Sequence, residues 1–233
     1  MFFIPLFEAK GVPAMTKIGF ALLMTNLVAM IIPERPVLPG HILGLVTTGI
    51  SELMVGTFMG LAIRIAFQTV SLAGEMIAHE GGFMRDASFD PFTQRSESAV
   101  ERLLSQFAVV VFLTTSMHLQ VFSSFVHSFE VVHLGVWTPT AASINILIAQ
   151  TAQLFTVAVQ IAAPFIALNF IINMTFAVLG KAAPQVNVFT VSFAVMIVIG
   201  LLTLVSMLDV IAHNITQIMQ QSAENMLSMI QFR

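Results

Sequence analysis

Long apolar runs separated by small clusters of charge are the feature that most limits how this chain can fold. Charged residues occupy 9% of its 233 positions and hydrophobic residues 57%, whereas about a quarter of an ordinary soluble domain is charged. The runs have the length needed to cross a hydrocarbon core, which takes roughly 20 helical residues. They cover Lys17 to Ile32, Ile42 to Ala78, Leu103 to Phe129, Ala141 to Gly180 and Val186 to Leu208. The sequence therefore predicts an all-α protein of the membrane class.

Two of these runs, Ile42 to Ala78 and Ala141 to Gly180, are longer than one crossing requires. As single helices they would be about 55 to 60 Å long, against a core of about 30 Å. Each is either a hairpin or a helix that projects beyond the lipid. Gly56 and Gly60 interrupt the first run and Pro164 the second, and proline removes a helical hydrogen bond. We expect a single-domain bundle of long, kinked helical hairpins with about four to seven spans.

Polar side chains form stripes on the predicted helices. The first has the spacing of one helix face and consists of Arg64, Gln68, Ser71, Glu75 and His79. Two uncharged stripes consist of Ser116, Gln120, Ser123 and His127, and of Gln150, Gln153 and Gln160 with the pair Asn169 and Asn173. Such groups either hold the chain's own bundle together or lie against other subunits around a polar path. Intramembrane charges face protein or water rather than lipid. The candidates for contacts between subunits are therefore Glu52, Arg64, Gln68 and Glu75.

The segment after Leu208 is amphipathic. Its polar face carries Asp209, His213, Gln217, Gln220 and Glu224, and its apolar face Ile211, Ile215, Ile218, Met226 and Met229. This pattern predicts a C-terminal helix that leaves the apolar span and serves in assembly or at an interface.

Motifs for catalysis or for binding a metal or cofactor are absent from the sequence. His79-Glu80-Gly81-Gly82-Phe83 begins like a zinc-protease helix but lacks the second histidine. Zero cysteines exclude disulfides and thiolate zinc sites, and a net charge of -3 gives no basic field for nucleic acid. We therefore expect a protein that is not an enzyme and binds no metal, cofactor or nucleic acid.

The segment Glu80 to Ser98 is the candidate functional loop. Gly81 and Gly82 allow close backbone approach, and Phe83-Met84 supplies a deformable apolar plug. An ordinary surface connection is the alternative. Exposed apolar residues are not what a solvated loop requires, and long loops between spans often carry function.

Four segments along the chain match one family in the expected order. They are Ile4-Pro5-Leu6-Phe7 with Gly11-Val12-Pro13 leading into Lys17-Ile18-Gly19-Phe20-Ala21-Leu22; Ala73-Gly74-Glu75-Met76-Ile77 through Gly82-Phe83 to Asp90-Pro91; Phe112-Leu113 with His118-Leu119; and Ala183-Pro184-Gln185-Val186-Asn187-Val188-Phe189 with Phe193. The most specific motif positions are Pro184, Gln185, Asn187 and Phe189. With these segments the chain resembles the FliR family of membrane subunits of the flagellar type III protein export gate, whose injectisome relatives share the fold.

The resemblance implies one subunit wound with several copies of FliP and FliQ around a pore. Unfolded export substrates would cross the bacterial inner membrane there, at the flagellar basal body. FlhB-type and FlhA-type export components and membrane lipid are the further partners it implies. In such a family the loop would project into the pore, so the resemblance makes Gly81, Gly82, Phe83 and Met84 the candidates for a gating plug.

Two competing hypotheses stay open. The first is a free-standing small-solute or ion transporter that uses Arg64, Glu75 and Glu52 at mid-membrane. The second is an intramembrane enzyme, for which no catalytic constellation is found.

The sequence departs from the family at two places. One is Ser192-Phe193-Ala194, which stands in place of a usual Gly-Phe-Pro. An apolar stretch that usually precedes the first segment is missing before Met1, which suggests a shortened or alternatively started N-terminus.

Overall fold

The computed structural model describes residues 13–31, 39–83, 88–90, 95–183, 185 and 187–231, and most of them are helical. The elements in chain order are α1 (Ala14–Ile31), α2 (Ile42–Glu80), β1 (Ser88–Asp90), β2 (Arg95–Glu97), α3 (Ala99–Thr114), α4 (Met117–Val131), α5 (Ala141–Ala182) and α6 (Val188–Gln231). The predicted all-α membrane-type bundle is confirmed. Helices dominate because an apolar segment can satisfy its backbone N–H and C=O groups internally only in this form.

Each of the longest apolar runs forms one continuous helix. Helix α2 has 39 residues, α5 has 42 and α6 has 44. The two runs for which a hairpin was an alternative, Ile42 to Ala78 and Ala141 to Gly180, are therefore each a single helix. At 1.5 Å per residue α5 is about 63 Å long, roughly twice the thickness of a hydrocarbon core. Pro164 lies inside α5 without ending it. The Ser192-Phe193-Ala194 segment is likewise helical, within α6.

Three helices of the described residues are long and apolar enough to cross a membrane: α2, α5 and residues 190–231 of α6. Helices α3 and α4 together make a fourth candidate, bent by 68° at the break between them. Helix α1 is a shorter apolar helix. The described part of the chain therefore carries three or four candidate spans by length and composition, at or below the low end of the expected range.

The break between α3 and α4 lies inside the predicted apolar run Leu103 to Phe129, at the first residue of its polar stripe. Ser116 adopts a left-handed conformation, with φ of 60°, and its N–H donates to the Leu113 carbonyl at 3.2 Å. The N–H of Leu119 then donates to the Ser116 carbonyl at 3.0 Å. These short-range hydrogen bonds partly replace those that the interrupted helix loses.

A short hairpin lies within the predicted loop between α2 and α3. Strands β1 and β2 pair antiparallel, with Ser88 opposite Glu97 and Asp90 opposite Arg95. Three-residue strands contain too little alternation of polar and apolar residues for the sequence pattern to predict them.

The chain groups into two compact units, each built from separated segments. Unit 1 comprises residues 1–67, 112–153 and 216–233, and unit 2 comprises residues 68–111 and 154–215. The core of unit 1 includes the fully buried side chains of Ile63, Phe112, Met219 and Met229. That of unit 2 includes Val70, Ile77, Leu104, Phe165 and Ile211.

Polar side chains of the predicted third stripe connect three helices inside unit 1. The buried amide of Gln150 on α5 donates to the Ala62 carbonyl of α2 at 2.8 Å and to the Ser222 hydroxyl of α6 at 2.9 Å. One turn on, Gln153 donates to Gln221 at 2.7 Å. For these two residues the interpretation that the stripe holds the chain's own helices together is correct.

The amphipathic character of the C-terminal helix is confirmed. Its polar face is exposed at Asp209, His213, Gln217, Gln220 and Glu224. Its apolar face is buried at Ile211, Ile215, Met226 and Met229. Helix α6 carries this face as a direct continuation of its apolar half, without a break.

Replacing Gln150 with alanine should lower the thermal stability of unit 1. The change removes two buried hydrogen bonds and leaves the Ser222 hydroxyl without that donor, a loss of about 2 kcal/mol. Unfolding in mild detergent can be followed by the fluorescence of Trp137, the single tryptophan of the chain and a buried residue of the same unit. Gln160→Ala, at an exposed position of the same helix, is the matched control. Equal melting of the two variants would contradict a stabilising role for Gln150.

Candidate functional site

Two glycines end helix α2 and turn the chain into the candidate loop. The Gly81 N–H donates to the Ile77 carbonyl at 2.8 Å and the Gly82 N–H to the His79 carbonyl at 3.4 Å. Gly82 has a φ of +73°, in the left-handed region that disfavours any residue with a Cβ. A Cβ at Gly81 would collide with the Phe83 ring and lie 2.9 Å from the Ile77 carbonyl oxygen. Both glycines therefore occupy positions at which a side chain would be strained or obstructed.

The aromatic residue of the predicted plug packs on helix α6. A Cβ built on Gly200 would lie 3.0 Å from Cζ and 3.2 Å from Cε2 of Phe83, which means that the ring rests where a side chain at 200 would be. Next to it, a Cβ at Gly82 would lie 3.0 Å from Met196 Sδ and 3.5 Å from Phe193 Cε2. Met84, the other predicted plug residue, lies outside the described residues.

A short chain of hydrogen bonds fixes the end of α2 beside these glycines. Asn169 of α5 donates to the Glu80 carboxylate at 2.5 Å, and Asn173 donates to the Asn169 side-chain oxygen at 2.7 Å. His79 Nδ1 lies 3.5 Å from the other carboxylate oxygen of Glu80. The sequence predicted an amide pair at Asn169 and Asn173 but not its carboxylate partner.

The polar stripe of α2 is largely exposed on this chain. Arg64, Gln68, Glu75 and His79 are exposed. Ser71 is the exception, because its hydroxyl donates to the Glu101 carboxylate at 3.2 Å. The predicted contacts of Arg64, Gln68 and Glu75 with other subunits stay predictions, and their exposure leaves room for such partners.

Glu52 has a partner within its own unit. Its carboxylate accepts a hydrogen bond from the Gly135 N–H at 2.8 Å. Gly135 has a φ of +78°, and a Cβ there would lie 2.8 Å from Thr48. The adjacent Ser51 hydroxyl donates to the Trp137 carbonyl at 2.6 Å. Glu52 thus ties α2 to the α4–α5 connection, and a contact with another subunit remains a prediction for its half-exposed side chain.

The most specific sequence motif precedes α6. Asn187 is the residue before the helix, and its side-chain oxygen accepts the Thr190 N–H at 3.4 Å. This is the usual arrangement of an asparagine N-cap. Gln185 is exposed in a turn. Pro184 and the side chain of Phe189 lie outside the described residues.

The residues that the structure describes give little sign of chemistry other than these contacts. No three histidine or acidic side chains there are grouped closely enough to hold a metal ion. A cavity of about 60 Å³ beside Glu52 is lined mostly by apolar side chains, including Val55, Met59 and Phe125. What the site offers is a turn of two glycines, an aromatic ring packed on α6 and an exposed polar stripe.

Comparisons with known proteins give a consistent result. The family model described as "Bacterial export proteins, family 1" matches residues 1–222. Flagellar biosynthetic protein FliR of Pectobacterium carotovorum subsp. carotovorum is 29% identical over 208 residues, covering 89% of this chain and 79% of that protein. The FliR of Escherichia coli (strain K12) is 24% identical with the same coverage. The FliR of Bacillus subtilis (strain 168) is 25% identical over 235 residues, covering 97% of this chain and 90% of that protein.

Replacing Asn169 with alanine should loosen the end of helix α2. The change removes the donor to Glu80, a charge-assisted hydrogen bond that contributes about 1.5 to 3 kcal/mol. Hydrogen–deuterium exchange of the peptide that ends at Phe83 should become faster. Asn173→Ala is the graded control, because it leaves the Glu80–Asn169 hydrogen bond in place. Exchange that is unchanged in Asn169→Ala would show that this bond does not hold the turn.

Proposed function

The chain belongs to the bacterial export proteins, family 1, and from this premise we propose that it is the FliR-type structural and pore-forming subunit of a flagellar export gate. It is a membrane-type component of a flagellar export apparatus. In the proposed role, one copy assembles with FliP-type and FliQ-type subunits around a pore in the bacterial inner membrane. Unfolded export substrates pass through that pore, and FlhB-type and FlhA-type components act with the gate at the flagellar basal body.

The observation that carries the proposal is the amount of apolar helix surface that the chain does not cover itself. Only 11% of the most apolar window of α6 is buried, and 28% of that of α5. Exposed side chains of α5 include Phe155, Phe170 and Ile171. Because contiguous apolar surface of this extent requires lipid or protein around it, the chain is suited to a place among other membrane subunits.

Exposed polar groups on another candidate span favour protein as part of that covering. Gln68 and Glu75 are exposed on α2, one of the helices long and apolar enough to span a membrane. A carboxylate or amide that faces only hydrocarbon is energetically costly. A neighbouring subunit with complementary polar groups would remove that cost, whereas a lipid tail would not.

The loop after α2 has the properties that a plug requires. Its two glycines provide a turn without side-chain obstruction, and Phe83 provides an apolar ring that closes a narrow path to water and ions. The ring is half-buried, which means that it can leave its contacts at limited cost. Movement of such a loop during transport would follow the pattern of other gating loops.

The behaviour of the purified chain without partners distinguishes an export-gate subunit from a free-standing transporter. A transporter that uses Glu52, Arg64 and Glu75 would give saturable uptake of a solute when the purified chain alone is placed in liposomes. An export-gate subunit would be inactive there and would co-purify with two other membrane subunits. The family match favours the second outcome.

Replacing Phe83 and Met84 together with alanine should make the membrane leaky while the complex still assembles. The change removes the apolar bulk that excludes water from the path, so ions and small solutes should enter cells that carry the variant gate. Dye uptake or conductance measures the leak, and recovery of the complex in mild detergent measures assembly. Phe170→Ala, an exposed phenylalanine of α5, is the control. An assembled complex with wild-type permeability would refute the plug role.

Replacing Glu75 with leucine should weaken assembly without weakening the chain's own fold. The side chain is exposed on the isolated chain, but removing it would leave a polar group of the partner subunit buried and unpaired. Recovery of the partner subunits in a pull-down should fall on the order of tenfold. Thr57→Val is the control, since Thr57 is exposed on the same helix and its hydroxyl donates to its own Leu53 carbonyl. Undiminished recovery for Glu75→Leu would place that residue against lipid or water.

A further inference from the structure

Gly200 is an isolated glycine in the middle of a long apolar helix, and its environment explains its presence. Glycine weakens a helix interior by roughly 1 kcal/mol relative to alanine, so a glycine here calls for a packing reason. The position is buried, and the atoms nearest to its absent side chain are Cζ and Cε2 of Phe83. The next nearest is the carbonyl oxygen of Gly81 at 3.6 Å. Gly200 therefore forms a notch that the ring of Phe83 occupies.

Three residues of α6 make up one face beneath the loop. Phe193, Met196 and Gly200 have the spacing i, i+3 and i+7, which puts them in a row on one side of the helix. Phe193 and Met196 approach Gly82, and Gly200 approaches Phe83. We call this row the loop seat. The deformable thioether of Met196 and the ring of Phe193 suit a contact that is made and released.

We infer that the loop seat is the latch of the gate: with Phe83 in the Gly200 notch the loop is held closed, and export requires the ring to leave it. This inference rests on the plug role proposed for Phe83. A resting gate has to exclude ions, and contact with the Gly200 notch fixes the position of the apolar ring. Gly200 is therefore a positioning residue, which acts on the pore through Phe83.

The two glycines of the loop define how the latch can move. Gly82 already has a left-handed φ, and Gly81 has no side chain to obstruct the ring. Rotation about these two residues moves Phe83 while Glu80 remains bound to Asn169. The hydrogen-bonded end of α2 is then the fixed point and the glycine pair is the hinge.

A larger side chain at position 200, in the notch, tests the proposed latch. Gly200→Leu fills the notch and displaces the ring, so the closed-to-open ratio should fall and ion flux through the assembled complex should rise about tenfold. Ala194→Leu adds the same side chain to an exposed face of α6 and should leave the flux at the wild-type level. Combining Gly200→Leu with Phe83→Ala should leak less than the sum of the single changes, because the leucine then occupies the space of the ring. A purely structural role of Gly200 would give additive leaks instead.

The same assay separates the latch from the plug. If Phe83→Ala leaks and Gly200→Leu does not, the seat is refuted and the plug role stands. If neither variant leaks, both are refuted. Strictly additive leaks in the double variant would also overturn the latch, since they would show that residues 83 and 200 act independently.

A cross-link provides the second measurement where Gly200→Leu fails to assemble. The chain has no cysteine, so Phe83→Cys with Gly200→Cys introduces one pair, and loss of the ring leaves room for the new side chain at 200. A short, reducible bifunctional thiol reagent should join the pair and stop export by the full complex, and reduction should restore export. The pair Phe83→Cys with Leu202→Cys is the control, because Leu202 lies on an exposed face of α6. Continued export with residues 83 and 200 joined would overturn the latch.

Discussion

The need to satisfy backbone polar groups inside apolar segments governs this structure. Where little water is available, an unpaired N–H or C=O costs several kcal/mol, and a continuous helix is the simplest way to pair them all. The longest runs accordingly form helices of 39, 42 and 44 residues without interruption. Each departure from the helix then needs its own hydrogen bonds. The departures at Gly81 and Gly82, at Ser116 and at Asn187 each have such hydrogen bonds.

The end of α2 illustrates how one departure becomes a site. Backbone hydrogen bonds of Gly81 and Gly82 complete the helix, and the Glu80 carboxylate is held by Asn169. Beyond this fixed end, Phe83 rests in the notch of Gly200. The hydrogen-bonded Glu80, the two glycines and the Phe83 ring thus follow one another within four residues, an arrangement that suits the gating role proposed for the loop.

Local sequence patterns predicted some parts of the fold and missed others for a definite reason. The amphipathic face of α6 and the Asn169–Asn173 pair followed from helical spacing alone, since residues three or four apart share a face. The Glu80 partner of Asn169 is 89 residues away and the Gly135 partner of Glu52 is 83 residues away, and no periodicity reports such pairs. The α3–α4 break was missed because Thr115 and Ser116 are compatible with an apolar helix, and the β1–β2 hairpin because its strands have only three residues each.

The sequence by itself determined the class of protein, because charge density, run length and helical spacing reflect the cost of placing polar groups in an apolar medium. It also determined the family and pointed to Gly81, Gly82 and Phe83, since those residues form a local motif. Only the tertiary structure decided that Gly200 receives the ring, that Glu80 is anchored by Asn169 and that Gln150 joins three helices. Each of those contacts depends on which helix faces lie together, and helix packing selects among many faces of similar apolarity that the sequence alone does not distinguish.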